Sequence, residues 1–173
     1  ENKKWIIVDM GVTFADDSIP GIDLIFPDPG FILDKKNDLL GIVLTHAHED
    51  HIGAIAHIWP KLNCNMYATP FTAALIEEKF KEKKIDVSSY LKIVPLNSKI
   101  KLGKFEIDFV TLTHSILEPN GLSITTPLGT VLHTGDWKVD PNPLIGGNID
   151  EKKLKEIGKK GVTSMICDST NIF

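Results

Sequence analysis

Residues 45–51 read Thr-His-Ala-His-Glu-Asp-His, and this stretch decides the fold. The apolar run 41–44 precedes it, and the apolar-periodic run 52–56 follows it. This order predicts a buried strand, a tight loop and then a helix. The loop contains the metal-competent side chains His46, His48, Glu49, Asp50 and His51. We therefore interpret it as the main part of a two-metal hydrolytic centre.

Polar side chains also follow the other predicted strands. The strand-end residues are Asp9, His114, Asp136 and Asp168. Histidine and aspartate are costly to bury unless they are paired or bind a metal, so core packing does not explain this pattern. In a layered α/β protein we expect these strand ends to converge at one edge of the sheets. Asp9 has two readings, a turn residue or a carboxylate that orients a metal-bound histidine.

The remaining pattern indicates an α/β protein. The helix after the metal loop is expected to begin near Asp50 and to stop at Trp59, before Pro60. The apolar run within residues 4–11 predicts a strand buried on both faces. Further elements are predicted as a strand at 65–68, a helix at 70–84, a strand through 105–109, a hairpin over 122–134, a helix at 150–159 and a buried strand at 162–167. The end of helix 70–84 is rich in lysine, which could contact phosphates. A solvated face is favoured instead, because Glu77, Glu78 and Glu82 lie among the lysines.

Composition excludes several classes of protein. With 173 residues and 42% hydrophobic content, the chain fits one globular domain. A net charge of −4 argues against a globally basic nucleic-acid binder, although bound metal would supply local positive charge. Only Cys64 and Cys167 are present, which favours two reduced, mostly buried thiols in a cytosolic protein. No apolar run is long enough to span a membrane. The first residue is Glu1, so the N-terminus is interpreted as trimmed or missing.

The spacing within the loop suits metal binding. His46 and His48 are two residues apart, so both rings can point to the same side of an extended segment. Asp50 and His51 can face a second ion, and Asp136 is the candidate bridging carboxylate. Imidazole and carboxylate ligands without thiolate suit Zn²⁺, with Mn²⁺ as the alternative. His57 is expected to be a packed or half-exposed side chain, and His133 either supports the site or lies in the core.

At this point the chain resembles the metallo-β-lactamase superfamily, through its H-x-H-x-D-H run and the later strand-end His and Gly-Asp. Within the superfamily it is most similar to the ribonuclease J family of the β-CASP nuclease branch. The motifs that carry the narrower resemblance are Thr-His-Ala-His-Glu-Asp-His-Ile-Gly-Ala (45–54), Thr-His-Ser-Ile (113–116), His-Thr-Gly-Asp-Trp-Lys-Val-Asp (133–140) and Cys-Asp-Ser-Thr-Asn (167–171).

The resemblance implies an αββα sandwich with two metal ions, usually Zn²⁺, with Mn²⁺ or Mg²⁺ as alternatives. It implies one ion held by His46, His48 and His114, a second held by Asp50 and His51, and a bridge from Asp136. It further implies that Asp50 positions the attacking water and that Asp168 supports proton donation to the leaving oxygen. The implied activity is hydrolysis of RNA phosphodiesters, 5′-to-3′ exonucleolytic and endonucleolytic, in RNA maturation and decay.

The family pattern also sets expectations about the whole protein. Residues 1–173 are expected to form the N-terminal part of a metallo-β-lactamase domain, with a β-CASP domain beyond residue 173. The chain alone is then expected to have a weakened second metal site and little nuclease activity. The full-length enzyme is expected to be cytoplasmic, to act on RNA, to lie off the membrane, and to form a dimer or tetramer.

Three alternatives stay open on the residues. One is another hydrolase of the superfamily, acting on a thioester or a small phosphodiester. A second is a nuclease of the same branch that acts on DNA. The third is a metal-binding module without catalysis. The motifs at 133–140 and 167–171 favour the ribonuclease over these alternatives.

Overall fold

A computed structural model describes residues 1–170, which divide into two compact units, residues 2–93 and residues 94–170. Asn171, the last residue of the 167–171 motif, lies outside the described residues. None of the helices in the described part of the chain is long and apolar enough to cross a membrane. The prediction of one domain over residues 1–173 stays a prediction.

The first unit contains a parallel four-stranded sheet. The strands of this unit are β1 (Trp5–Val8), β2 (Thr13–Phe14), β3 (Leu24–Ile25), β4 (Leu39–Val43), β5 (Met66–Ala68) and β6 (Leu91–Ile93). Its helices are α1 (Gly30–Leu33), α2 (Glu49–Ile52), α3 (Ile55–Leu62) and α4 (Pro70–Glu82), with a 3₁₀ turn at Lys36–Asp38. The sheet order is β1-β4-β5-β6, and β2 and β3 form a separate antiparallel pair.

The core of this unit explains why these segments take these forms. Ile42 and Val43 in β4 are fully buried, as expected for a central parallel strand that reads as a continuous apolar run. Ile76 and Phe80 are fully buried on one side of α4. Thr69 precedes Pro70, which is the first residue of α4. At this position the N–H would have no partner within the helix, so a proline costs no hydrogen bond. The strand at 65–68 and the helix at 70–84 are therefore confirmed.

The helix after the metal loop differs from the prediction in two ways. It is broken into α2 and α3, and α3 continues through Pro60 to Leu62. The proline removes one backbone donor, but Trp59 and Leu62 are buried on either side of it and hold the last turn in place. The helix ends instead at Asn63, whose backbone is left-handed with φ of 52°.

The second unit contains a five-stranded sheet of order β11-β10-β9-β8-β7. Its elements are β7 (Lys99–Leu102), β8 (Phe105–Thr111), β9 (Asn120–Thr126), β10 (Gly129–His133), α5 (Glu151–Lys160) and β11 (Ser164–Ile166). Strands β7 to β10 are antiparallel, and β11 runs parallel to β10. Ile107 and Phe109 are fully buried, so the predicted alternation in β8 is confirmed. Asp150 caps α5 through the backbone N–H of Lys153 at 2.9 Å.

Two strands predicted as buried are not, because both lie at sheet edges. In β1 the side chains are exposed or half-buried, and all three residues of β11 are exposed. The prediction that Cys167 is buried is therefore wrong, because Cys167 directly follows β11 and is exposed. Cys64 is half-buried, and this burial raises the pKa of its thiol to about 11, so Cys64 stays protonated at neutral pH.

Candidate metal centre

Asp9 ties the end of β1 to the metal loop. The two parallel strands β1 and β4 end at the same edge of the sheet, which brings Asp9 beside the start of the loop. The backbone N–H of Asp9 donates to the carbonyl oxygen of Val43 at 3.0 Å, and Asp9 Oδ1 accepts from the backbone N–H of Thr45 at 2.7 Å. Asp9 adopts a left-handed backbone with φ of 60°, a conformation that aspartate tolerates better than most residues.

The second oxygen of Asp9 orients a loop histidine. Asp9 Oδ2 accepts from Thr45 Oγ1 at 2.7 Å and lies 2.7 Å from His51 Nδ1. Because an ionised carboxylate can only accept, the proton of the pair lies on Nδ1, and Nε2 keeps the lone pair that a metal needs. Of the two readings of Asp9 from sequence, the orienting carboxylate describes these contacts.

His46 and His48 place two ring nitrogens at the separation of a shared ion. His46 is fully buried, and its Nδ1 lies 3.0 Å from Thr45 Oγ1. His46 Nε2 lies 3.2 Å from His48 Nδ1. Two nitrogens on one tetrahedral Zn²⁺ would lie about 3.3 Å apart, given Zn–N bonds of about 2.0–2.1 Å. The pair therefore fits a metal ion.

Asp50 and His51 form a second group of ligand atoms in the same loop. His51 Nε2, the nitrogen that Asp9 leaves available, lies 3.6 Å from Asp50 Oδ2. The Asp50 side chain is 63% exposed, and the His51 side chain is 13% exposed. The ring centroids of His46 and His51 are 4.0 Å apart. An exposed carboxylate next to a partly buried imidazole suits a position where solvent reaches the ion.

The loop is held from two sides by contacts that sequence reasoning did not identify. Met10 N–H donates to the His51 carbonyl at 2.6 Å, and Val12 N–H donates to the Glu49 carbonyl at 3.0 Å. Between them lies Gly11, where an added Cβ would stand 1.7 Å from the carbonyl oxygen of Asp50. The sequence does contain one sign of this contact, a glycine two residues after the strand-end Asp9. Glycine often occurs where two backbone segments approach closely.

Lys79 on α4 provides the other contact. Its Nζ lies 2.5 Å from Glu49 Oε1, and Glu49 is the first residue of α2. This ion pair links the last turn of α4 to the loop, although Glu49 itself is half exposed. Glu49, counted among the metal-competent side chains from sequence, is thus paired with a lysine.

In the second unit, three strand ends reach one edge of the five-stranded sheet. Strand β8 runs in the same direction as β10 and β11, so His114, Asp136 and Asp168 all follow strands that end at this edge. His114 Nε2 lies 3.8 Å from Asp136 Oδ2, and both side chains are about one-fifth exposed, at 20% and 23%. The structure thus brings these two predicted ligands together within this unit.

Thr113 fixes the segment next to His114. Its carbonyl accepts from Lys138 N–H at 2.9 Å, and its hydroxyl donates to the Lys138 carbonyl. His133 Nδ1 accepts from the backbone N–H of Gly135 at 3.1 Å, where the backbone is left-handed with φ of 57°. His133 therefore supports the turn that precedes Asp136. From sequence, His133 was expected either to support the site or to lie in the core.

Asp168 is placed by contacts with both ends of its turn. Its backbone N–H donates to Thr134 Oγ1 at 3.1 Å, which ties the end of β11 to the end of β10. Its Oδ1 accepts from the backbone N–H of Thr170 at 2.8 Å and from Thr170 Oγ1 at 2.5 Å. Thr170 thus orients one carboxylate oxygen of Asp168.

Replacing Asp9 by asparagine tests the orienting carboxylate. We expect Asp9→Asn to weaken Zn²⁺ binding about 10- to 100-fold, the usual effect of losing a carboxylate behind a metal-bound histidine. Isothermal titration calorimetry measures the change. Asp16→Asn is the matched control, because Asp16 is an exposed loop carboxylate that accepts from Ser18 N–H at 2.9 Å. Equal Zn²⁺ affinity of Asp9→Asn and wild type would show that Asp9 is only a turn residue.

Comparison with known proteins places these residues in context. A family described as the beta-lactamase superfamily domain matches residues 4–153. A ribonuclease J of Sinorhizobium meliloti is 45% identical over 170 residues, which cover 98% of this chain and 30% of that protein. A ribonuclease J of Helicobacter pylori strain 26695 is 39% identical over 170 residues, covering 98% of this chain and 25% of that protein. The chain thus spans less than a third of the length of these relatives.

Solved structures agree on the fold. A protein of unknown function from Enterococcus faecalis matches with a TM-score of 0.60 at 17% identity, over 96% of this chain and 44% of that one. The metallo-beta-lactamase fold protein YhfI from Bacillus subtilis matches with a TM-score of 0.50 at 18% identity, over 79% of this chain and 52% of that one. The predicted resemblance to ribonuclease J and the predicted metallo-β-lactamase fold of the α/β class are confirmed.

Proposed function

The chain belongs to the beta-lactamase superfamily, and on that premise we propose that it is part of a metal-dependent ribonuclease. The proposed reaction is hydrolysis of RNA phosphodiesters, both 5′-to-3′ exonucleolytic and endonucleolytic. The observation that carries the proposal is similarity to ribonuclease J over 98% of the chain. The loop geometry supports it, because His46 and His48 hold ring nitrogens 3.2 Å apart, as a shared ion requires.

The proposed ligand set is the one that the family resemblance implies. His46, His48 and His114 would hold one ion, Asp50 and His51 would hold the other, and Asp136 would bridge them. The donors are imidazole and carboxylate, which favours Zn²⁺, with Mn²⁺ or Mg²⁺ as alternatives. Support comes from the pairing of ligand atoms within each unit, at 3.6 Å for Asp50 with His51 and 3.8 Å for His114 with Asp136.

The side chains near the reacting phosphate have different proposed roles. Two divalent ions, when bound, supply Lewis-acid stabilisation of the charge that develops on the phosphoryl oxygens. Asp50 is the most exposed of the loop ligands and can accept a hydrogen bond from the attacking water, which it would hold in line with phosphorus. Asp9 keeps His51 in the ligating tautomer.

Asp168 is the proposed support for protonation of the leaving oxygen. Its backbone is anchored to Thr134 and one of its oxygens is oriented by Thr170, so its second oxygen is presented in a fixed direction. A carboxyl group in a fixed orientation is what proton transfer to a leaving alkoxide needs. The RNA substrate, a cytoplasmic location and a dimeric or tetrameric full-length enzyme complete the proposal.

A paired assay on the full-length protein tests the function. We expect the Zn²⁺-loaded protein to hydrolyse 5′-monophosphorylated single-stranded RNA and to leave an acyl thioester intact. The DNA strand of the same sequence, run alongside, separates an RNA-acting from a DNA-acting nuclease. Faster hydrolysis of the thioester or of DNA than of RNA would contradict the proposal.

A further inference from the structure

An exposed aromatic pair lies on the first unit, outside the metal ligands. Phe26, which directly follows β3, is 37% exposed. His57 is exposed on α3, and its ring centroid lies 4.6 Å from that of Phe26, with the planes inclined at 39°. Exposed aromatic faces of this kind are surfaces on which nucleic-acid bases stack.

Lysines stand around this pair. Lys61 is exposed one turn beyond His57 on α3, so the two side chains share a helix face. Lys79 and Lys83 share a face of α4 by the same spacing. Partial burial of the ring, and then the positive charges of Lys83 and Lys79, lower the pKa of His57.

Two acidic groups near this surface already have hydrogen-bond or ion-pair partners. Glu49 is paired with Lys79, and Asp28 Oδ1 accepts from the backbone N–H of Gly30 at 2.9 Å. Glu82 is exposed on α4, about 100° around the helix axis from Lys83. Lys61 and Lys83 are both exposed, so a polyanion can contact them from solvent.

The pair also adjoins the metal loop within the same unit. Phe26 and the loop residue Asp50 line the same groove, and Lys79 contacts Glu49, the residue that follows His48 in the loop. Helix α3 begins three residues after Ile52, the end of the helix that contains His51. The Phe26–His57 pair is therefore within reach of a strand bound at the metal loop.

We propose that Phe26, His57, Lys61 and Lys83, here called the Phe26 platform, bind single-stranded RNA outside the metal centre. A base stacks on the Phe26–His57 pair, and Lys61 and Lys83 contact the flanking phosphates. This rests on the proposed ribonuclease function and deepens it, because it assigns a binding site for a part of the substrate that is not cleaved.

Equilibrium binding tests the platform. The probe is a single-stranded RNA with phosphorothioate linkages that resist hydrolysis, titrated into the Zn²⁺-loaded full-length protein. Phe26→Ala should raise Kd about 5- to 150-fold, because stacking on one aromatic contributes about 1–3 kcal/mol per base. Phe26→Trp should restore binding and Phe26→Leu should not. Lys61→Ala and Lys83→Ala should each lower the slope of log Kd against log salt concentration by about 0.7, the value for one lost phosphate contact on a single strand.

Matched controls lie close by in the chain. Phe31 is 61% exposed but packs edge-on against Trp5, and Lys81 on α4 pairs with Glu78. Phe31→Ala and Lys81→Ala should leave Kd unchanged. The platform is contradicted if Phe26→Ala binds like wild type, if Phe26→Leu binds as well as Phe26→Trp, or if the control variants weaken binding equally. The ribonuclease proposal is decided separately, by wild-type hydrolysis of RNA.

Discussion

Replacing His48 by alanine is expected to lower kcat/KM for RNA hydrolysis by about 10³-fold or more. His48 Nδ1 lies 3.2 Å from the Nε2 of the fully buried His46, so the substitution removes one of two nitrogens placed for the same ion. Metal ions supply several kcal/mol of charge stabilisation in phosphoryl transfer, and each 1.36 kcal/mol corresponds to about tenfold in rate. The measurement is the initial rate on 5′-monophosphorylated RNA with the full-length protein.

His57→Ala is the matched loss of an imidazole. His57 lies six positions after His51, on the exposed side of α3, and is not among the proposed ligands. We expect metal content to fall in His48→Ala and to stay at the wild-type value in His57→Ala. Full RNA hydrolysis by a folded His48→Ala protein would exclude His48 from the centre.

The second large effect is expected at Gly11. An alanine Cβ would stand 1.7 Å from the carbonyl oxygen and 2.0 Å from the carbonyl carbon of Asp50. Both are backbone atoms in a helix turn, so the clash can be relieved only by moving the segment 9–12 away from the metal loop. Gly11→Ala should therefore lower the free energy of unfolding by about 3 kcal/mol or more, as measured by urea denaturation.

Gly158→Ala is the same chemical change, but here we expect the free energy of unfolding to rise. Gly158 lies in α5, and no atom outside its own helix and chain neighbours lies within 4 Å of its ideal Cβ position. Alanine there should raise the free energy of unfolding by about 0.5–1 kcal/mol, because alanine favours the helix. A Gly11→Ala protein as stable as wild type would mean that the contact between segment 9–12 and the loop does not constrain the fold.

Most residues of the candidate site could be proposed from the sequence because their signals are local. The run at 45–51 lies between an apolar strand and a helix, and His114, Asp136 and Asp168 each follow a strand. These residues can be recognised from the sequence with one rule, which is that polar side chains at strand ends lie together at a sheet edge. The role of Asp9 needed the structure, since both of its readings fit a carboxylate after a strand.

The wrong predictions share one cause, which is that they depend on tertiary neighbours. Strands β1 and β11 were predicted as buried from their apolar residues, but sheet order places both at edges. The helix was expected to stop before Pro60, yet burial of Trp59 and Leu62 carries α3 past it. Gly11 and Lys79 were not identified because their partners, Asp50 and Glu49, lie 39 and 30 positions away in the chain.

The most direct test of the account is the metal content of the purified full-length protein. Inductively coupled plasma mass spectrometry should find about two divalent ions per chain, mainly zinc, as a two-metal hydrolase requires. The content should fall in His48→Ala and Asp136→Asn. Metal-free protein that hydrolyses RNA at the wild-type rate in the presence of a chelator would contradict the central claim.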